Sequence, residues 1–277
     1  MFYLNIILKE NETIDDLQYN GLRIIQKKDG FRFGLDAVLL ANFADVKKND
    51  TVIDLGTGTG IIPILIAGKT GAKSVIGLEI QEEMAQMAQR SINMNGMDNR
   101  VRVVCGDIKE SVELFGASRF NIVVSNPPYM NCGAGLINTR DSKAISRHEI
   151  KCTLEDVIKA AAKLLVIGGQ LAMVHRPNRL VDIVWLMRKY SIEPKYIRFV
   201  HPAPYKKANL LLIKGTRQGG VELKMLEPLY VYDENGEFSD EINDIYCRGR
   251  EQRQNPKRTS NGEINDIYCR GVRNIEQ

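Results

Sequence analysis

Asp54-Leu55-Gly56-Thr57-Gly58-Thr59-Gly60 is the stretch that decides the fold. It lies between a short β-branched run, Thr51–Leu55, and an apolar stretch beginning at Ile61 that predicts a helix. Glycine adopts left-handed backbone without steric penalty, and it has no Cβ to keep a ligand off the main chain. A strand, a glycine turn and a helix in that order therefore make a place where a polar ligand can come close to the backbone. The dinucleotide-binding turn G-x-G-x-x-G would put its third glycine at position 61. That position holds Ile61, and the third glycine comes one residue early, at Gly60.

Working outward, the chain alternates between the two periodicities. Ser74–Leu78 predicts a second strand, and Gln81–Met94 a helix with Met84, Met87, Ala88 and Ile92 along one side. Val101–Cys105 and Asn121–Ser125 predict two more strands. Leu154–Leu165 predicts a helix, Gly169–Val174 a strand, Arg179–Lys189 a helix and Leu210–Lys214 a late strand. Strands separated by helices in this way predict an α/β fold with a doubly wound, mostly parallel sheet. Upstream, Leu17 to Gln26 is interrupted by Asn20-Gly21, a pair that favours the type I′ turn of a β-hairpin. Leu35 to Phe43 is apolar at helical spacing. The expected organisation is an N-terminal hairpin and helix over residues 1–48, a single domain over 49–235, and a tail over 236–277. In the tail Glu241-Ile242-Asn243-Asp244-Ile245-Tyr246-Cys247-Arg248-Gly249 recurs letter for letter as Glu263 to Gly271, around a segment too polar to fold on its own. Two copies are too few for a solenoid, so a tandem duplication of the chain's end is the simplest account.

Composition narrows the classes. Hydrophobic residues are 44% and charged residues 26%, the balance of a globular chain and not of a disordered one. No apolar run reaches the roughly 18 residues of a membrane helix. Met1-Phe2-Tyr3-Leu4-Asn5-Ile6-Ile7 has no basic residue ahead of its apolar stretch, so a secretory leader is not expected. The five cysteines (Cys105, Cys132, Cys152, Cys247, Cys269) form no C-x-x-C pair, and His148, His175 and His201 are not at ligand spacing. Reduced thiols, a cytoplasmic location and no metal are the expectations. The net charge of +4 permits a polyanionic partner without requiring one.

The G-x-G-x-G spacing of Gly56, Gly58 and Gly60 resembles motif I of the class I methyltransferases, which holds the methionine part of S-adenosylmethionine (SAM). Under that resemblance the fold is the Rossmann-like class I methyltransferase fold, and Asp54 orders the glycine turn or meets the cofactor through water. Glu79 stands at the end of the second strand, where a carboxylate can accept both ribose hydroxyls. Asp107 follows the third strand, placed for the adenine amino group, with Ile108 against the purine face.

Asn126-Pro127-Pro128-Tyr129 follows the apolar strand Asn121–Ser125. An exocyclic amine is a poor nucleophile because its lone pair is delocalised into the ring. The Asn126 side-chain oxygen and the Pro127 carbonyl can each accept one amino N–H, which turns the lone pair towards an incoming methyl group. The prolines, Pro127 and Pro128, fix φ and remove competing donors, and Tyr129 offers a face for a planar substrate. The chemistry is then methyl transfer from sulfur to nitrogen, with S-adenosylhomocysteine as product, driven by positioning and electrostatics.

Four blocks in order, Gly30 to Leu40, Asp54 to Gly60, Asn126 to Tyr129 and Arg147-His148-Glu149, are similar to the bacterial tRNA (adenine-N6)-methyltransferases that modify the adenine 3′ of the anticodon in a valine tRNA. The resemblance spans residues 12 to 235. It implies that Phe33 and Asp36 lie near the methionine end of the cofactor or the target pocket. It also implies that Arg147 and His148, beyond the long loop from Met130 to Ser146, border the substrate entrance. The resemblance implies tRNA as the partner, and a monomer needing no membrane and no metal is expected. The tetrapeptide is shared by several families and stays compatible with a protein glutamine methyltransferase of the release-factor type, a ribosomal RNA or DNA amino-methyltransferase, or an inactive SAM-fold RNA-binding factor. The release-factor type carries a sizeable helical domain ahead of motif I, whereas here a hairpin and one helix are expected.

Overall fold

Asn20 and Gly21 both take left-handed backbone, with φ of 48° and 69°. Leu22 N–H donates to the Tyr19 carbonyl at 2.9 Å, so the turn is the type I′ that the Asn-Gly pair predicts. It joins β1 (Glu12–Asp16) to β2 (Arg23–Lys27). The first arm is thus more N-terminal than Leu17, in an acidic run whose strand character composition hides. The computed structural model describes residues 8–29, 34–128 and 152–246. The hairpin lies against the helix Glu82–Met94. Ile25 N–H donates to Ser91 Oγ at 2.9 Å, and Asn95 bonds both backbone groups of Arg23. Arg90 grips the buried Glu12 carboxylate with two nitrogens; that bidentate contact, chiefly, holds the Glu12 pKa below its ordinary value.

The main sheet has nine strands among the described residues: β3 (Thr51–Leu55), β4 (Ser74–Glu79), β5 (Val101–Cys105), β6 (Phe120–Ser125), β7 (Leu165–His175), β8 (Ile192–His201), β9 (Leu210–Arg217) and the short β10 (Lys224–Met225) and β11 (Leu229–Tyr230). They run in the order β10-β8-β9-β7-β6-β3-β4-β5, with β11 also on β8. The block from β7 to β5 is parallel, and β9 is antiparallel to both of its neighbours. This is the mostly parallel, doubly wound α/β sheet that the strand-helix alternation predicts.

Successive strand residues feed two cores, as period-2 alternation in a sheet covered on both faces requires. Val52, Val75, Ile122, Val124, Ala172 and Val174 meet α1 (Leu35–Phe43), α2 (Ile61–Lys69) and α3 (Glu82–Met94). Ile53, Leu55, Ile76, Leu78, Val123, Leu171 and Met173 meet α4 (Ser111–Phe115), α5 (Leu154–Leu164) and α6 (Leu180–Lys189). Thr153 starts α5 through a capping box with Asp156. Pro63 is tolerated in α2 because it stands in the first turn, where no intrahelical N–H is lost.

Besides the first hairpin arm, three features depart from the sequence expectation. β7 begins at Leu165, ahead of the expected Gly169. β8 was not foreseen, because Glu193-Pro194-Lys195 reads as a break; the register shifts between Pro194 and Tyr196, and an irregularity of this kind is where a sheet admits proline. The packed chain also continues past residue 235. α7 (Asp240–Ile245), capped by Ser239, buries Ile242, Ile245 and Tyr246 in the α1/α2 core. Lys69 Nζ donates to the Ile245 carbonyl at 2.7 Å, and Arg198 grips Glu241 with two nitrogens. The first copy of the duplicated nonapeptide therefore contributes core side chains; the second lies outside the described residues.

If α7 is part of the core, Ile245→Ala lowers unfolding stability by about 2–4 kcal/mol, the range for removing a buried aliphatic side chain. The urea midpoint reads this directly. An unchanged midpoint would return the segment to the tail.

Candidate functional site

β3 is the point where the sheet changes direction. Its crossover helix α2 leads to β4 on one side, and β6 lies on the other. In open α/β sheets ligands bind beyond the carboxyl ends of the strands at such a point. The glycine turn occupies that position. Gly56 and Thr57 N–H both donate to the Leu78 carbonyl, at 2.9 and 3.0 Å, fastening the turn to the end of β4. Gly60, with φ of 85°, sits so close to α3 that an added Cβ would lie 2.9 Å from Ala88 Cβ. At Gly56 and Gly58, both at positive φ, a Cβ would meet nothing within 4 Å. It would instead project into open space beside the turn.

Glu79, buried at the end of β4, shapes the same turn. Its Oε2 accepts the Gly58 N–H and its Oε1 the Gln81 N–H, both at 2.9 Å. Each carboxylate oxygen keeps a further lone pair for a ligand hydroxyl. Asp54 lies beneath the turn with no exposure at all. Neither of its carboxyl oxygens meets hydrogen-bond geometry with any described residue, and neither does Thr57 Oγ1. Burial raises the Asp54 pKa to about 7; the nearby Thr57 hydroxyl opposes this and the Glu79 charge adds to it.

Asn126 follows β6, the hydrogen-bonded neighbour of β3, and is half-buried, with Pro127 buried and Pro128 exposed behind it. Ser125 Oγ donates to the Leu55 carbonyl at 2.8 Å, tying the last residue of β6 to the residue before the glycine turn. Asp107, after β5, caps the short turn Ile108–Glu110 by accepting the Lys109 N–H at 2.9 Å, and Ile108 packs on the second core. Asp36, in the first turn of α1, accepts the Ala37 N–H at 2.8 Å and is almost fully buried. Sheet topology thus brings Asp54, Gly56, Gly58, Gly60, Glu79, Asp107, Ile108, Asn126, Pro127 and Pro128 to one edge. Phe33, Tyr129, Arg147 and His148 lie outside the described residues.

Sequence reasoning missed three supporting groups. Ser125 and Thr57 are common residues with no motif to mark them. Gly77 does carry a signal, since a Cβ there would lie 2.7 Å from Thr57, and a glycine inside a β-branched run marks a close approach. His175, buried at the end of β7, has Nδ1 accepting the Arg176 N–H at 2.8 Å. Burial, together with the charge of Arg179, pushes its pKa down to about 4, so the ring is neutral at physiological pH. Among the described residues no three His, Cys, Asp or Glu side chains gather as metal ligands, and no helix is long and apolar enough to cross a membrane.

The sequence profile of the methyltransferase small domain family matches residues 35–189. A protein of Porphyromonas gingivalis named tRNA1(Val) (adenine(37)-N6)-methyltransferase is 29% identical over 204 residues, covering 72% of this chain and 79% of the relative. A protein of Tolumonas auensis with the same name is 28% identical over 186 residues, covering 64% and 76%. Among solved structures, one described as a predicted O-methyltransferase from Agrobacterium tumefaciens superimposes with a TM-score of 0.64 at 24% identity, covering 76% of this chain and 95% of that one. That likeness speaks for the fold.

The Asp54 geometry carries a pH signature. With a native pKa near 7 and an ordinary value of 3.8, the native state keeps a proton that the unfolded chain releases. Stability conferred by that proton is full below about pH 4 and lost as pH rises to about 7. Asp54→Asn should therefore gain on the native sequence as pH rises, by at most about 4 kcal/mol above pH 7. Melting curves of both proteins, free of ligand, at pH 4.5 and 8 test this. An equal difference at the two pH values would mean that Asp54 is ionised throughout.

Proposed function

The chain belongs to the methyltransferase small domain family, and from that membership we propose that this SAM-dependent enzyme methylates the exocyclic N6 of an adenine in tRNA, adenine 37 of a valine tRNA. The observation that carries the reading is the adjacency of Asn126 to the glycine turn, enforced by β3–β6 pairing and the Ser125–Leu55 bond. Neighbouring strands are about 4.8 Å apart. A group held at the turn and a base held at Asn126 can therefore meet. The curated relatives from Porphyromonas gingivalis and Tolumonas auensis favour adenine in tRNA over a glutamine side chain or ribosomal RNA.

The residues fit SAM. The space beside Gly56 and Gly58 that a Cβ would enter leaves room for the methionine part, and the orphaned Asp54 carboxyl beneath it suits a cationic ligand. Glu79 is oriented by two backbone N–H groups and offers its remaining lone pairs to the ribose hydroxyls. Asp107 would take the adenine amino group and Ile108 its face; Asp36 and Phe33 are assigned by the family resemblance to the methionine end or the target pocket. When bound, SAM supplies a methyl group on a positively charged sulfur, an electrophile that needs no acid catalyst.

On the substrate side, the Asn126 side-chain oxygen and the Pro127 carbonyl each accept one N6–H and turn the lone pair out of the ring plane. Pro127 and Pro128 keep this segment rigid. Tyr129 stacks on the base, which must leave its own stack to reach the site, and Arg147 and His148 line the entrance. Asn126 orients the amine and takes no proton. The methylated nitrogen loses one proton to water, leaving N6-methyladenosine and S-adenosylhomocysteine. The enzyme works as a cytoplasmic monomer.

Methyl transfer from labelled SAM to unmodified bacterial tRNA, followed by nucleoside analysis, tests the reading and should yield N6-methyladenosine. Asn126→Ala should lower turnover by at least about a hundredfold, as for loss of a transition-state hydrogen-bonding group, with SAM affinity within twofold. Label in a protein or in ribosomal RNA, with none in tRNA, would overturn the substrate. Loss of SAM binding in Asn126→Ala would overturn the role given to that residue.

A further inference from the structure

The substrate half of the sheet ends in a surface whose chemistry suits a polyanion. β8 is parallel to β7, because β9 between them is antiparallel to both. The end of β8, the start of β9 and the connection from Pro202 to Asn209 therefore lie on the same carboxyl edge as Asn126. The connection carries Tyr205-Lys206-Lys207, all exposed, with Tyr205 88% accessible. Neither lysine has an ion-pair partner among the described residues. The connection is held in shape. Lys206 N–H donates to the Ala203 carbonyl, and His201 Nδ1 bonds the Lys206 carbonyl at 2.8 Å. Arg176, at the end of β7, reaches across to the Asn209 carbonyl at 3.1 Å. Among the described residues, nearby acids are engaged elsewhere or at the flanks: Asp182 pairs with Arg179 at 2.7 Å, Asp233 accepts N–H groups of its own turn, and Glu234 accepts the Tyr205 hydroxyl at 3.3 Å.

We propose that Tyr205, Lys206 and Lys207, on the connection braced by Arg176, form the docking surface for the RNA backbone flanking the target base. The inference rests on the tRNA reading above. Three strand spacings, about 15 Å, separate the end of β6 from the end of β8. A base turned out at Asn126 has its neighbouring phosphates within that reach. Two lysines without acidic partners suit phosphates, and an exposed tyrosine among them suits an unstacked base, the pairing of charge and aromatic face that single-stranded RNA favours.

The test is binding of unmodified tRNA to the full chain between 50 and 200 mM salt, with methyl transfer by the native protein run alongside. Lys206→Glu with Lys207→Glu should weaken tRNA binding at least tenfold and flatten the log–log salt slope by about 1.5, the effect of losing two phosphate contacts. Tyr205→Ala should weaken it about tenfold with the salt slope unchanged. SAM affinity should stay within twofold in both, a readout that a misfolded site would not preserve. Lys48→Glu with Lys73→Glu makes the same charge change at the opposite edge of the sheet and should leave binding within twofold. Equal weakening by that pair would trace the effect to net charge and overturn the surface. Unchanged binding in the 206/207 pair, while native protein methylates tRNA, would overturn the surface and leave the tRNA reading standing. If the native protein methylates no tRNA, both fall.

Discussion

The hydrogen bond from Ser125 to the Leu55 carbonyl marks the constraint on which the site depends. β3 and β6 are adjacent in the sheet but far apart in sequence, and both end here. One leads into a turn that needs positive φ at three glycines, the other into Asn126 and two prolines. Neither segment forms a helix or strand, so neither has a regular backbone ladder to fix it. The turn is held instead from β4, by the Leu78 carbonyl and the Glu79 carboxylate. Residues from three strand ends thus hold one irregular surface, and the parallel sheet makes this possible by bringing all three carboxyl ends to one edge.

Asp54 shows what that arrangement demands. A fully buried carboxyl without a hydrogen-bond partner opposes folding, and its raised pKa expresses the same cost in protons. Sealed beneath the turn and holding its proton up to about pH 7, the carboxyl gains a charge only as pH rises. Glu79 stands in contrast. It is buried too, but two backbone N–H groups compensate it. The two acids close to the turn therefore differ: Glu79 is fastened to the turn by backbone N–H groups, whereas Asp54 lies beneath it without such bonds.

Much of this was legible in the sequence, and for identifiable reasons. Thr51–Leu55, Ser74–Leu78, Val101–Cys105 and Asn121–Ser125 are β-branched runs, each within a residue of the observed strand, and in a parallel sheet covered on both faces such runs are strands. Once the strands are placed, Glu79, Asp107 and Asn126 fall at their carboxyl ends without further assumption. What was hidden depended on long-range packing. Glu12-Thr13-Ile14-Asp15-Asp16 looks like solvated loop until Arg90 and the Asn95 contacts fasten the hairpin to α3. Pro194 masked β8, and the polar surroundings of Ile242, Ile245 and Tyr246 masked a helix that fills the α1 core. Asp54 was visible as a residue, but its isolation was not, because lacking a partner is a property of the whole neighbourhood.

The two halves of the sheet differ in charge as well as in direction. On the β3–β5 side, the strand ends and turns carry Asp54, Glu79 and Asp107, with one lysine, Lys109, 4.0 Å from Asp107. On the β7–β9 side they carry Arg176, Arg179, Lys206 and Lys207. A carboxylate-rich pocket favours a sulfonium and an amine and repels phosphate. A cationic rim attracts phosphate and leaves a cationic cofactor alone. On the proposed function, this uneven placement on the two sides of β6 would let a cationic cofactor and a polyanionic substrate approach Asn126 from different surfaces. The modest net charge of +4 conceals this division, because acids on one side of β6 offset bases on the other.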